Sequence, residues 1–131
     1  MAKSHEDIEG YLSKLERRFE RVEEGTYLVA GGANQPPIAV RVAPPVLVVQ
    51  VPIGPAPTGN PALEAKVFRQ LLELNGKDLM FAAYSLEGND IVLGAALELD
   101  NLDLNEIEAV LADVDVALAD HVPTLRQLVQ K

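Results

Sequence analysis

Leu79–Leu99, LMFAAYSLEGNDIVLGAALEL, decides the fold class. Glu87-Gly88-Asn89-Asp90 sits between two apolar arms, Leu79–Leu86 and Ile91–Leu99, and predicts a tight hairpin turn. In the second arm Ile91, Leu93, Ala95, Leu97 and Leu99 share one face. Val92, Gly94, Ala96 and Glu98 share the other, where small residues permit close approach.

Upstream, Thr26–Ala30, Ile38–Val42 and Val46–Ile53 are β-branched or aromatic runs punctuated by Gly31–Asn34 and Pro44-Pro45, and they predict three more antiparallel strands. Leu47, Val49, Val51 and Ile53 form one apolar face of the third, while Pro52 argues for a strand end or an edge. Asn60 and Pro61 open a helix that carries Leu63, Val67, Leu71 and Leu74 on one stripe, with Phe68 and Leu72 beside it and Asn75-Gly76 as its stop. At the N-terminus, Ser4 and Asp7 have capping-box spacing. Ile8, Tyr11, Leu12, Leu15, Phe19 and Val22 follow at helical steps, although Gly25 breaks that pattern and Phe19–Val29 could contribute a strand instead. Asp103 and Glu106 open a last helix, expected to reach about His121 before Pro123 disrupts it.

The expected architecture is therefore α+β, in the order αβββαββα, with one twisted antiparallel five-stranded sheet and three helices in a single domain spanning 1–131. A chain of 131 residues can bury about two-thirds of its unfolded surface, enough for a core without staples.

Composition narrows the chemistry. Eleven Lys and Arg against twenty Asp and Glu leave a net charge of −9, which repels a phosphate backbone, so nucleic acid is not an expected partner. With no cysteine, thiol nucleophiles, disulfides and Cys-ligated metal are excluded. The N-terminal residues show no signal-peptide pattern, and Ile38–Ile53 is too interrupted by Arg41 and prolines to span a membrane. The expectation is a cytoplasmic protein without a membrane partner.

No motif carries catalysis or a cofactor. Only His5 and His121 are histidines, and both are expected in solvent. A Ser85, Asp90 and His121 triad rests on residue type alone, without a nucleophile elbow. Asn101–Ala112 fails as a calcium loop, because Glu106 stands at the glycine position and Ala112 at the bidentate one. Glu106, Asp113 and Asp120 fall seven apart on the last helix and read as a solvated acidic stripe. Beside them Ala109, Ala112, Val116 and Ala119 form a second, small-residue strip, and a helix with two apolar faces usually buries both. With Val92, Gly94 and Ala96 this is more apolar surface than one thin layer hides, which predicts a homodimer.

Leu71–Asn75 (LLELN), Tyr84–Gly88 (YSLEG) leading into Ile91–Leu93, and Leu99–Asp103 (LDNLD) give the chain a resemblance to the YbjN-like proteins, which share the fold of the class I type III secretion chaperones. The resemblance covers nearly the whole length and rests on turn and core motifs, none of them catalytic. It implies a domain that is usually dimeric, with Phe68, Leu72, Met80 and Ala82 at or near the interface, and a dimer that wraps unfolded client segments without ATP.

The reading that follows is a non-enzymatic, chaperone-like homodimer that takes no cofactor. It holds an extended segment of a client by strand addition at a sheet edge, with Tyr11, Phe19, Tyr27 and Val29 as candidate client contacts and Phe68, Leu72, Met80, Ala82, Val92 and Ala96 as candidate dimer contacts. The alternative is a structural or regulatory dimer that binds a folded partner through its acidic C-terminal helix.

Overall fold

The structure, a computed structural model, describes residues 2–129. The elements are α1 (His5–Lys14), β1 (Phe19–Glu23), β2 (Thr26–Val29), β3 (Ile38–Ala43), β4 (Val46–Pro55), α2 (Pro61–Lys77), β5 (Ala83–Glu87), β6 (Asp90–Glu98) and α3 (Leu104–Val129). All six strands join one antiparallel sheet in the order β1-β2-β3-β4-β6-β5. The order is thus αββββαββα, with six strands where five are expected.

The extra strand comes from the segment that looks like the tail of the first helix. The capping box forms: Ser4 Oγ accepts from the Asp7 amide at 3.3 Å, and Asp7 Oδ2 accepts from the Ser4 amide at 2.9 Å. The helix nevertheless stops at Lys14, because Arg17 is drawn away. Its guanidinium pairs with Asp115 of α3 and donates to the Ala30 carbonyl at 3.0 Å. Phe19 then packs edge-on against Tyr27 with ring centroids 6.0 Å apart, and Gly25, at φ 80°, turns β1 into β2.

One face of the sheet carries the core. Tyr27, Val29, Ile38, Val40, Leu47, Val49, Val51 and Leu93 lie buried there in one cluster with Ile8 and Leu12 of α1, with Val67, Leu71 and Leu74 of α2, and with Ile107, Val110, Leu111, Val114, Ala117 and Leu118 of α3. The opposite face has no helix over it. Leu28, Ala39 and Val48 are half-buried there, and Ala96 and Arg41 are exposed. Gln50 lies along this face and its amide donates to Glu87 at 2.6 Å, which Gly94 allows, since a Cβ there would meet Gln50 Cγ at 3.2 Å.

Three expected boundaries move. β4 is an interior strand, and Pro52 is tolerated because the β4–β6 register shifts between Pro52 and Gly54, a bulge near the strand's end. α2 runs through Asn75-Gly76 to Lys77, with Asp78 as C-cap. α3 runs through Pro123 to Val129. The β5–β6 turn forms as expected, with Glu87 opposite Asp90 and Gly88 at φ 61°.

Candidate protein-binding site

A sheet that is open at both ends offers two rows of unpaired backbone groups, and this one treats its two edges differently. At β5 the row is taken at its start and stays open at Leu86. The Asn75 amide of α2 imitates a partner strand: its oxygen accepts from the Tyr84 N–H at 2.7 Å and its nitrogen donates to the Tyr84 carbonyl at 3.1 Å. Two residues back, the Ala82 N–H donates to Asp113 of α3 at 3.0 Å.

At β1 the row is open. The Ala30 N–H donates to the Arg18 carbonyl at 2.8 Å, so by antiparallel alternation Glu20 bonds toward β2 while Phe19 and Arg21 turn their N–H and C=O groups outward. No side chain among the described residues caps these groups. Val22 stands 56% exposed on the same strand. Glu20, Arg21 and Glu23 and a register shift between Arg21 and Glu23 shorten and charge this edge, the usual protection against indiscriminate pairing.

Of the four candidate client contacts, two are unavailable. Tyr27 is fully buried beneath α1, its hydroxyl donating to the His5 carbonyl at 3.2 Å, and Val29 is buried beside it. Both point to the helix side of the sheet, where the same alternation that makes a strand apolar also makes it core. Tyr11 is half-buried, with its hydroxyl donating to the Leu102 carbonyl at 3.1 Å, and Phe19 is half-buried on β1. Val22 is the surface residue that sequence reading misses here, because it fits the helical period of α1.

The six candidate dimer contacts divide in the same way. Leu72 and Met80 are 70% and 81% exposed and Phe68 is half-buried, all on the helix side, and Phe81 joins them as an exposed aromatic. Ala82 and Val92 are already buried within the chain, and Ala96 is exposed on the opposite, helix-free face.

The acidic stripe of α3 is not one solvated surface. Asp113 accepts from three consecutive backbone amides, Met80 at 3.3 Å, Phe81 at 2.9 Å and Ala82 at 3.0 Å, and so fixes the loop that displays Met80 and Phe81. Asp115 holds Arg17 and accepts from the Gly32 amide at 3.1 Å. Glu106 caps the Asp103 amide at 2.9 Å, and Asp120 is exposed. Val116 of the small-residue strip is 59% exposed, so this second face of α3 is left uncovered by the chain itself.

His121 is buried rather than solvated. The Tyr84 hydroxyl lies 2.8 Å from its Nδ1, and its Nε2 lies 3.2 Å from the Asp78 carboxylate. A carboxylate can only accept, so it fixes the proton on Nε2 and leaves Nδ1 to accept from the phenol. Ser85 and Asp90 are exposed on the hairpin and make no contact with His121, so the imagined triad is not assembled. The hydroxyl–imidazole–carboxylate chain that does exist ties β5, α3 and the end of α2 together. Burial, and then the Asp78 charge, push the Tyr84 phenol far above its ordinary range, which keeps it protonated and a poor nucleophile.

A raised phenol pKa has a definite consequence for stability. The folded chain holds this proton more tightly than the unfolded chain, so the contribution is complete below about pH 10 and is lost as pH rises further. Urea midpoints should fall between about pH 10 and 11 in the parent. Tyr84→Phe should flatten that fall. An unchanged slope would mean that the phenol ionises as freely folded as unfolded.

The CesT_Tir_1 family, of type III secretion chaperones, matches residues 1–131. Among solved structures, a chain of the heterodimeric complex ExoU-SpcU from the type III secretion system of Pseudomonas aeruginosa is similar in fold, with a TM-score of 0.69 and 18% identity over 88% of this chain and 95% of that one. No curated protein matches the sequence. On the family match over its full length, this chain belongs to the CesT_Tir_1 family of type III secretion chaperones.

Proposed function

We propose that the chain is a non-enzymatic, chaperone-like module of the cytoplasm that holds an extended client segment by strand addition at β1, and that it works as a homodimer. The observation that carries this reading is the contrast between the edges: Asn75 caps β5 at Tyr84 and Asp113 caps the loop before it, which leaves Leu86 as the outward position of β5, whereas the outward groups of Phe19 and Arg21 are both uncapped beside exposed Val22. Main-chain pairing supplies affinity, and Val22 with the accessible parts of Phe19 and Tyr11 supplies side-chain contact. Family membership supports the client-binding role, and the YbjN-like resemblance of the turn motifs fits the same fold. The similar chain comes from a complex of two different proteins, which supports a client as partner.

For the homodimer, the surface that remains is Leu72, Met80 and Phe81 with part of Phe68, since Ala82 and Val92 are already used inside the chain. Large exposed apolar groups concentrated on one side favour burial against a second copy. Light scattering after gel filtration should give about twice 14.2 kDa, and a mass of 14.2 kDa at tens of micromolar defeats the homodimer. The alternative, a folded partner on the acidic last helix, loses ground because Asp113 and Asp115 are engaged within the chain.

Arg21→Pro tests the strand-addition site. It removes an N–H that faces solvent, leaving the β1–β2 bonds in place, and proline is tolerated at such edge positions. Binding of an extended segment selected on a peptide array should weaken at least tenfold, with thermal stability close to the parent's. Val22→Lys, which touches no backbone bond, should weaken it too. Full binding by both variants would place the client elsewhere.

A further inference from the structure

Leu79–Leu86, LMFAAYSL, contains no charged residue and no proline, and it leads into and fills most of an edge strand. An uncharged, proline-free strand on a free edge is a template for another copy of itself. The two edges of this sheet are protected against that by different means. β1 carries Glu20, Arg21 and Glu23 and a register shift. β5 pairs with β6 without a register shift, and its one charged residue is Glu87 at its end.

What guards β5 is a side chain of α2. The Asn75 amide takes both main-chain groups of Tyr84, accepting from its N–H at 2.7 Å and donating to its carbonyl at 3.1 Å. These two bonds fix the parity of the strand. Tyr84 faces outward, Ala83, Ser85 and Glu87 bond toward β6, and Leu86 faces outward again. Of the two outward positions within β5, one is masked and one is open. Asparagine is a poor helix former, yet Asn75 stands inside α2, three residues before the C-cap Asp78, and its amide is spent on β5. The Asp113 contact is separate, since its last amide is that of Ala82, before the strand begins.

We propose that β5 is a self-pairing edge held shut by Asn75, and that the partner it fits is β5 of a second copy. With the amide withdrawn, two antiparallel β5 strands related by a two-fold axis at Ser85 set Tyr84 of each copy opposite Leu86 of the other. Each such pair exchanges both main-chain bonds, and the two sheets become one. Ser85, exposed, meets its own copy, and Ala83 meets Glu87, so no charge faces its like across the junction. The same symmetry covers Leu86, which is 47% exposed in the single chain. A charged segment finds no counter-charge along Ala83–Leu86, whereas an identical strand matches it in length and alternation. The mask lies in the last turn of α2, which the Asp78–His121 contact at 3.2 Å ties to α3, so lifting that turn withdraws the amide and opens the edge. The inference stands on β5 alone and does not depend on client binding at β1.

The test compares the full-length parent with Asn75→Ala by light scattering after gel filtration, at tens of micromolar. Alanine is the better helix former, so α2 is retained. Asn75→Ala should reach about twice the parent's mass or more, with the Tyr84 and Leu86 amides exchanging more slowly as concentration rises. Adding Leu86→Pro should restore the parent's mass, because proline removes an outward N–H and leaves the β5–β6 bonds in place. Asn75→Ala at the parent's mass, with a fast-exchanging Tyr84 amide, overturns the proposal. Association that Leu86→Pro does not reverse overturns it too, since the contact then lies elsewhere or the chain is misfolded. Should Asn75→Ala fail to fold, Asn75→Asp takes its place: it keeps an acceptor for the Tyr84 N–H and frees the carbonyl, and it should show the same rise in mass at higher concentration. The parent's mass there also overturns the proposal.

Discussion

Tyr27→Ala should be among the most destabilising single changes in the chain, with an expected loss of about 3–5 kcal/mol, typical of truncating a fully buried aromatic. Its ring is enclosed by α1 and packs edge-on with Phe19, so the truncation opens a cavity at the junction of α1 and β2. Tyr27→Phe keeps the ring and forfeits only the bond to the His5 carbonyl, for about 1 kcal/mol. Urea unfolding followed by circular dichroism distinguishes the two. The pair also separates core from contact: if Tyr27 served a client directly, Tyr27→Ala would lower client affinity at undiminished stability, and a loss below about 1 kcal/mol would contradict its placement.

Asp113→Ala should cost about 1.5–3 kcal/mol, the range for losing hydrogen bonds to a charged group. Its carboxylate is the shared acceptor for Met80, Phe81 and Ala82, and without it three successive amides in the loop before β5 lose their partner. Asp113→Asn keeps one acceptor oxygen and should lose less. Asp120→Asn, on an exposed side chain of the same helix, should stay within about 0.5 kcal/mol. Because the loop displays Met80 and Phe81, Asp113→Ala should also weaken self-association. Equal small effects of Asp113→Ala and Asp120→Asn in urea unfolding would return the stripe to a uniformly solvated surface.

What was legible in the sequence was what local chemistry specifies. The Glu87–Asp90 turn, the Asn60-Pro61 helix start and the Ser4–Asp7 capping box are each written in a few adjacent residues and each forms. The misread boundaries depend on partners far along the chain. Phe19 and Val22 satisfy a helical period, but the segment is held as β1 by its pairing with β2 and by Arg17 reaching Asp115, 98 residues away in sequence. Asn75 has the chemistry of a helix stop but spends its amide on Tyr84, so α2 continues. Tyr27 and Val29 stand on a strand, as expected, but face the helices, and alternation alone does not say which side of a sheet the helices cover.

His121 was within reach of the sequence. It stands seven residues beyond Val114 and three or four beyond Leu118 and Ala117, and so continues the buried face of α3. Pro123, read as a stop, hid that continuity. The open edge at β1 had no sequence signal of its own, because an edge is defined by which strands fail to pair on either side, and that follows only once the strand order is known.

Amide hydrogen exchange, followed residue by residue with and without the array-selected segment, tests strand addition at β1 most directly. If the segment pairs with this edge, the Phe19 and Arg21 amides gain protection on binding, and the β5 edge, already capped at Ala82 and Tyr84, changes little. Binding that leaves Phe19 and Arg21 exchanging as in the free chain, with new protection confined to other elements, would contradict the account.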